Sequence, residues 1–470
     1  MIANHSLLHS HMPIPLKKIL TALVLMGLAA PVFAATEAEL SAAIAAQLDR
    51  MQREIDSLRA EVQRMKEEKL AQSAAPRASP QQAAPDAAAV SAAVAPASGS
   101  AYAPLTASDT KAASSEPATT LFGYGEINYN RPRNNAGEVQ IDVRRAVLGL
   151  AHRFTDKTRL NMELEIEHAV ASSGDSGEVA LEQLYIAHQL THEIGLQAGL
   201  FLIPAGLINR NHEPTAYYGV ERNFVETAII PSTWREVGIG IVGMPDRGFA
   251  RGLEWNIGVT SGFDLNKWDS NSGDGRESPL GSIHQEGQKA RARNLSNYVA
   301  LDYKGIPSLL VGGSVFSGRV GHGQPHFAAR NARVTLWDGH VRWTPGRWDL
   351  SAVYAKGMIT GARDLNLTFA GNPTPVPREF FGWYVQSAYT VWSNGESSVS
   401  PFARYERFNT GAKIDDLPPG LGFDPTPTER VATVGLSYRL NPGVVFKADY
   451  QKFKVDPSRD RYNVGLGYAF

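Results

Sequence analysis

About 350 residues at the carboxy-terminal end repeat one small unit: roughly ten residues alternating apolar with polar or small, a tight turn, another ten, then a longer polar loop. The last run is the clearest. In RYNVGLGYAF, Tyr462, Val464, Leu466, Tyr468 and Phe470 share one face, and Asn463, Gly465, Gly467 and Ala469 the other. A period of two is a β-strand with unlike faces. About ten residues is the span of a strand tilted through a bilayer. A sheet in lipid must close on itself, because an open edge would leave backbone groups unpaired in hydrocarbon. The pattern therefore predicts a membrane pore rather than a soluble enzyme.

The 470 residues divide into four parts by composition. Residues 1–34 read as a signal peptide: Lys17 and Lys18 precede the apolar run ILTALVLMGLAAPVF, and Val32-Phe33-Ala34 supplies a small-residue cleavage site. That run is short for a membrane helix. Met12 is an alternative start to Met1, since residues 1–11 add nothing to the signal. There is no cysteine, which removes thiol catalysis, thiolate zinc sites and disulfide staples from consideration. Residues 1–118 hold 10 basic and 11 acidic residues, so residues 119–470 carry 46 − 10 = 36 and 47 − 11 = 36, net zero. Bulk charge thus offers nothing to nucleic acid.

Residues 35–70 predict a periplasmic α-helical coiled coil. Leu48, Ile55 and Val62 fall at a, and Met51, Leu58 and Met65 at d. Glu54 and Glu61 then occupy g, with Arg59 and Lys66 at the following e positions, the pairs that bridge neighbouring helices. Residues 71–118 are mostly Ala, Pro, Ser and Gln, the composition of a disordered linker.

From residue 119 to 470 the alternation predicts an all-β transmembrane barrel of sixteen antiparallel strands. They lie near 120–130, 139–153, 158–169, 178–190, 193–203, 234–244, 253–263, 295–304, 308–318, 331–344, 347–359, 380–392, 398–408, 430–440, 443–454 and 460–470. Connectors after even strands are short and rich in turn residues, such as Pro345-Gly346 and Asn441-Pro442-Gly443. Those after odd strands are mostly longer. This asymmetry belongs to outer-membrane barrels, and it puts both barrel ends on the periplasmic side. Facing follows from parity. Leu160, Met162, Leu164 and Ile166 read outward, with Asn161 and the acidic lumen row Glu163, Glu165 and Glu167 inward. Leu253, Trp255, Ile257 and Val259 read outward against Glu254, Asn256 and Thr260, and Phe446, Ala448 and Tyr450 against Lys447, Asp449 and Gln451. Trp343, Trp348, Phe381, Trp383, Trp392, Tyr438 and Phe470 sit near strand ends, as interfacial girdles do.

The third long loop, 204–233, contains Arg210, His212, Tyr217, Tyr218, Glu221, Arg222 and Glu226 together with apolar Val225, Ile229 and Ile230. A fully solvated loop has no use for the apolar residues, so it is expected to pack inside the barrel and narrow it. Arg145, Arg210, Arg222, Arg319, Arg330, Arg404, Arg439 and Lys447 are the expected pore-constriction and anion-pathway residues, because rings of basic groups lower the barrier for anions. The bland alternative for each is an ordinary wall charge.

The segments IDVRRAVLGLAHRF and TDKTRLNMELEIEH, the segment LQAGLFLIPAGL entering a long third loop, the heptad arm and the terminal Phe together resemble the phosphate-selective porins O and P. The resemblance implies a homotrimer of barrels in the outer membrane, each with its own pore, the coils associating in the periplasm. It also implies passage of phosphate or similar anions past arginines and a lysine cluster. This third loop holds no Lys, only Arg210 and Arg222 against Glu213, Glu221 and Glu226, and Arg319 and Arg330 in the fifth loop are the candidates to stand in.

Enzyme signals fail on context. Gly238 to Gly243 matches GxGxxG but lies within a strand and opens no helix. His192-Glu193 and His212-Glu213 lack the second His of a zinc-protease helix. No catalytic residue, metal ligand or cofactor is expected. The reading is passive diffusion of small hydrophilic solutes, anions such as phosphate among them. One alternative is a carbohydrate or general-solute porin using Tyr217, Tyr218, Trp268 and Trp337 as stacking surfaces. The other is a barrel-anchored tether whose coil contacts the cell wall.

Overall fold

The computed structural model describes residues 118–470, save 173, 370–373, 416 and 418–424, together with Arg53 and Arg64. The signal peptide, the coil seam (Leu48, Met51, Ile55, Leu58, Val62 and Met65) and the linker lie outside the described residues.

Seventeen strands are described: β1 (Thr119–Pro132), β2 (Gln140–Thr155), β3 (Thr158–Glu167), β4 (Val179–Gln189), β5 (Ile194–Leu202), β6 (Arg235–Gly243), β7 (Leu253–Thr260), β8 (Ser296–Ile306), β9 (Leu309–Arg319), β10 (Arg333–Trp343), β11 (Trp348–Thr360), β12 (Glu379–Tyr389), β13 (Trp392–Ser393), β14 (Ser398–Lys413), β15 (Glu429–Asn441), β16 (Val444–Phe453) and β17 (Arg461–Ala469). The two-residue β13 continues β12 along the edge of β14, so the described barrel has sixteen staves. All pairings are antiparallel between neighbours, and β17 returns to β1 with Ile127 opposite Leu466. Reciprocal backbone bonds between Gly123 and Phe470, 3.1 and 2.9 Å, finish the closure. Among the described residues no strand edge is left unpaired in lipid.

The residue types explain the alternation. Along β7, Glu254, Asn256 and Thr260 are buried while Ile257 and Val259 are exposed, as they must be when the outside is hydrocarbon and the inside polar. Gly346 and Gly395 take positive φ, 63° and 97°, in the tight turns after β10 and β13, where a side chain would be strained. The outer face carries two aromatic rows. Trp343, Trp348, Trp392 and Tyr438 lie at the short-turn end. Trp337–Tyr354 and Trp383–Tyr405, with ring centroids 5.2 and 5.7 Å apart, lie further along, Trp337 and Tyr354 each six residues from Trp343 and Trp348. Six residues is roughly 20 Å of strand, or about 15 Å of height at a tilt of about 40°, which keeps both rows within reach of an apolar band about 25 Å tall.

One difference from expectation concerns the inner face. On β9 to β16 its loop-side end is apolar: Phe316, Val334, Leu336, Val353, Ala355, Ile359, Phe380, Phe408, Val431 and Phe453 are all buried. They pack with residues of the long loops, including Val225, Ile229, Ile230, Leu265 and Ile283, in one cluster. Trp234 lies 5.2 Å from Phe263 and 4.6 Å from Phe316, ring to ring. Folded-in loops remove water from that end of the lumen, so apolar side chains are stable there.

Candidate functional site

The loop between β5 and β6 lies inside the barrel and is held from several strands. Arg210 donates to Glu254 on β7 at 2.7 Å and to Asp302 on β8 at 2.5 Å. Tyr217 donates to Glu126 on β1 at 2.8 Å, and Tyr218 to Asp349 on β11 at 3.1 Å. The backbone N–H of Val220 reaches Asp449 on β16, and that of Phe224 reaches Glu406 on β14, each at 2.7 Å. Charge-assisted bonds to backbone N–H groups are among the stronger local restraints. A π-helical turn, Val225–Ile229, then lays its apolar face on β11, β12 and β14. Glu226 ties the loop's two halves: its Oε1 accepts from Leu207 and Ile208 N–H at 2.5 and 2.6 Å, and its Oε2 from Asn223 and the Tyr384 hydroxyl at 2.8 and 3.1 Å.

The basic residues fall into three groups. Arg145 and Arg210 are neutralised by carboxylates, Arg145 Nε lying 2.9 Å from Glu126 and its Nη1 3.3 Å from Glu165. Arg404 pairs with one carboxylate, Nε bonding Glu406 at 2.7 Å, while Nη2 is buried with no hydrogen-bond partner. Arg222, Arg439 and Lys447 bond neutral oxygens. Arg222 reaches Thr233 Oγ1 and the His212 carbonyl, both at 2.9 Å, and leaves Nε buried without a partner. Arg439 reaches the Thr215 and Pro442 carbonyls at 2.9 and 3.2 Å. Lys447 reaches the Gly219 carbonyl at 2.9 Å, its ammonium 3.7 Å above the Tyr217 ring.

Two expected members lie elsewhere. Arg319 shares the outward parity of Val315 and Ser317, is exposed at the end of β9, and pairs across the ladder with Arg333. The strand runs on to residue 319, and the extra residue turns the guanidinium away from the lumen. Arg330 is exposed on the fifth loop. Neither reaches the inward loop.

Of the acidic row, Glu163 and Glu165 are buried on the inner face and Glu167 is half-buried at the end of β3. The candidate stacking rings are engaged: Trp337 faces outward beside Tyr354, Trp268 is buried with Nε1 donating to the Thr374 carbonyl, and the two tyrosines bond carboxylates.

Sequence parity missed Tyr124, Glu126 and Glu182. Glu182 and Gln183 are both buried because a β-bulge against Glu163 and Leu164 breaks the alternation of β4. The only trace in the sequence is a polar pair, Glu182-Gln183, inside an otherwise alternating strand. In the fifth loop, His322 is buried, accepting from Asn294 N–H at 3.4 Å with Nε2 3.3 Å from the Phe263 carbonyl. Burial pushes its pKa below the usual histidine range, against the opposing charge of Asp264.

Comparison with known proteins gives three findings. The model of the family described as phosphate-selective porin O and P matches residues 122–458. A protein of Aquifex aeolicus (strain VF5), described as uncharacterized, is 29% identical over 381 residues, 78% of this chain and 84% of its own. The structure of Salmonella typhi OmpF, in complex with daunomycin, aligns with a TM-score of 0.53 at 13% identity, covering 75% of this chain and 97% of the other. That likeness is one of fold.

Proposed function

Because the chain belongs to the phosphate-selective porin O and P family and is thereby an outer-membrane porin, we propose that it passes small hydrophilic solutes by passive diffusion, with a preference for small anions such as phosphate. One observation carries the anion preference. Beside the inward loop, Arg222, Arg439 and Lys447 bond neutral oxygens, and Arg222 Nε and Arg404 Nη2 are buried donors without partners. An arginine bonded to carbonyls has no counter-charge beside it, whereas one locked to a carboxylate is compensated. An anion passing this zone is attracted by those charges, which offsets part of the hydration it loses. Several weak sites, rather than one tight one, let it leave again.

The assembly that goes with this reading is a homotrimer in outer-membrane lipid. Residues 35–70 form a periplasmic coil joined by the 71–118 linker, and the coil makes any cell-wall contact. Flow follows the concentration gradient, with no cofactor or covalent step.

Planar-bilayer recording in a KCl gradient tests the proposal. The expected reversal potential is anion-selective and becomes less so in Arg439→Gln and Lys447→Gln. A cation-selective wild type would overturn it. Deleting residues 37–118 is expected to leave the conductance in place, whereas a tether would lose its cell-wall phenotype.

A further inference from the structure

We infer that Glu163, Glu182 and His212 form a binding site for one divalent metal ion of zinc-like chemistry, bridging the inward loop to the wall at β3 and β4. The three residues come from separate places. Glu163 faces inward from β3, the β4 bulge delivers Glu182, and the descending loop brings His212. One potential ligand atom from each lies within 4.8 Å of the others, and all three residues are buried, at 4, 0 and 3% exposure.

The hydrogen bonds leave a surplus of lone pairs. His212 Nδ1 lies 3.1 Å from the Asn209 carbonyl, which can only accept, so Nδ1 carries the hydrogen. In a neutral ring, Nε2 then presents its lone pair to the carboxylates. This is how metal-binding imidazoles are commonly held, the far nitrogen fixed by a carbonyl. Nε2 lies 3.5 Å from Glu182 Oε2 and 2.5 Å from the Tyr124 hydroxyl. That hydroxyl also contacts Glu182 Oε2, and it has one proton for the two acceptors. Glu182 Oε1 and Glu163 Oε2 are buried with no hydrogen-bond partner, and so is Oε2 of the adjacent Glu213. The nearby Arg145 bonds Glu126 and Glu165 instead.

Buried acceptors without donors, on two carboxylates at close range, are costly. A proton on His212 offsets one negative charge and leaves Glu163 unpaired. A divalent cation offsets both and uses the free lone pairs. The donor set decides the class: two carboxylate oxygens and one imidazole nitrogen suit zinc and its neighbours, whereas calcium and magnesium take oxygen ligands.

The test uses the full chain in detergent, stripped with a chelator and dialysed against zinc, with metal per chain measured by mass spectrometry and cobalt absorption as a second probe. One zinc per chain is expected, with a visible cobalt band. Glu182→Gln is expected to weaken binding by tenfold or more, and His192→Ala, which disrupts the exposed trio His192, Glu193 and Asp246, to leave it unchanged. Substoichiometric zinc with no cobalt band, full retention in Glu182→Gln, or loss with His192→Ala would each overturn the assignment. Should Glu182→Gln fail to assemble, Glu163→Gln replaces it. The zinc X-ray absorption spectrum of the wild type, which must show one imidazole among oxygens, decides without any variant.

Discussion

Replacing Arg210 by Ala should shift the pore toward cations, and the size of the shift follows from the local charge count. Arg210 sits between Glu254 and Asp302, at 2.7 and 2.5 Å, with its side chain 16% exposed. When it goes, Glu254 keeps Lys304 at 2.6 Å, but Asp302 keeps only His340 at 2.9 Å, which also lies 2.7 Å from Asp338. The change therefore leaves one uncompensated negative charge on the lumen wall. An ion passing about 7 Å from it feels about 0.6 kcal/mol at the dielectric of water, and about 2.4 kcal/mol at an effective value of about 20. Anion permeability should accordingly fall by roughly threefold to sixtyfold and cation permeability rise by a similar factor, one kT being about 0.59 kcal/mol. Reversal potentials should be read at about 0.1 M salt, where the screening length is about 10 Å, and again at about 1 M, where it shrinks to about 3 Å and the shift should collapse. Arg210→Lys, which keeps the charge, should retain most of the wild-type ratio. An unchanged ratio at low salt, or a shift toward anions, would refute the placement of this ion pair on the ion path.

Three further outcomes are expected. Ile229 is fully buried where the π-helical turn meets β11, β12 and β14, so Ile229→Ala should loosen the loop by about 2–5 kcal/mol while the barrel stays assembled; single-channel noise should rise, and quiet wild-type-like openings would count against the packing. Val434 lies exposed in the middle of β15, and Val434→Arg should destabilise refolding into lipid vesicles by about 2–4 kcal/mol; equal urea midpoints would mean that this face does not meet lipid. For His322 the sign runs against acid: its folded pKa is depressed, so its packing is complete above the unfolded value of about 6.5 and weakens as pH falls from there toward the folded pKa, where a proton on Nδ1 displaces the Asn294 N–H. Protection of the Asn294 amide, its exchange rate taken relative to the intrinsic rate at the same pH, should be weaker at pH about 5 than at pH about 8, and His322→Gln should remove the difference; pH-independent protection would sink that account.

Strand number, turn asymmetry and facing were legible in the chain because alternation is local. Each residue of β3, β7 or β16 meets lipid or lumen according to its parity alone, and hydrocarbon accepts only one kind of face. The inward path of loop 204–233 was half legible, since Val225, Ile229 and Ile230 demand cover. Its partners were not. Glu126, Glu254, Asp302, Asp349, Glu406 and Asp449 come from six different strands, and only ring closure brings them around one loop. The bulge that turns Glu182 inward and the extra strand residue that turns Arg319 outward both act through parity, which a single inserted position reverses. Periodicity thus determined the cylinder and its two surfaces. Which arginines bond carbonyls rather than carboxylates, and which carboxylates meet His212, was decided by contacts between residues as far as 224 positions apart in the chain, where no local pattern reaches.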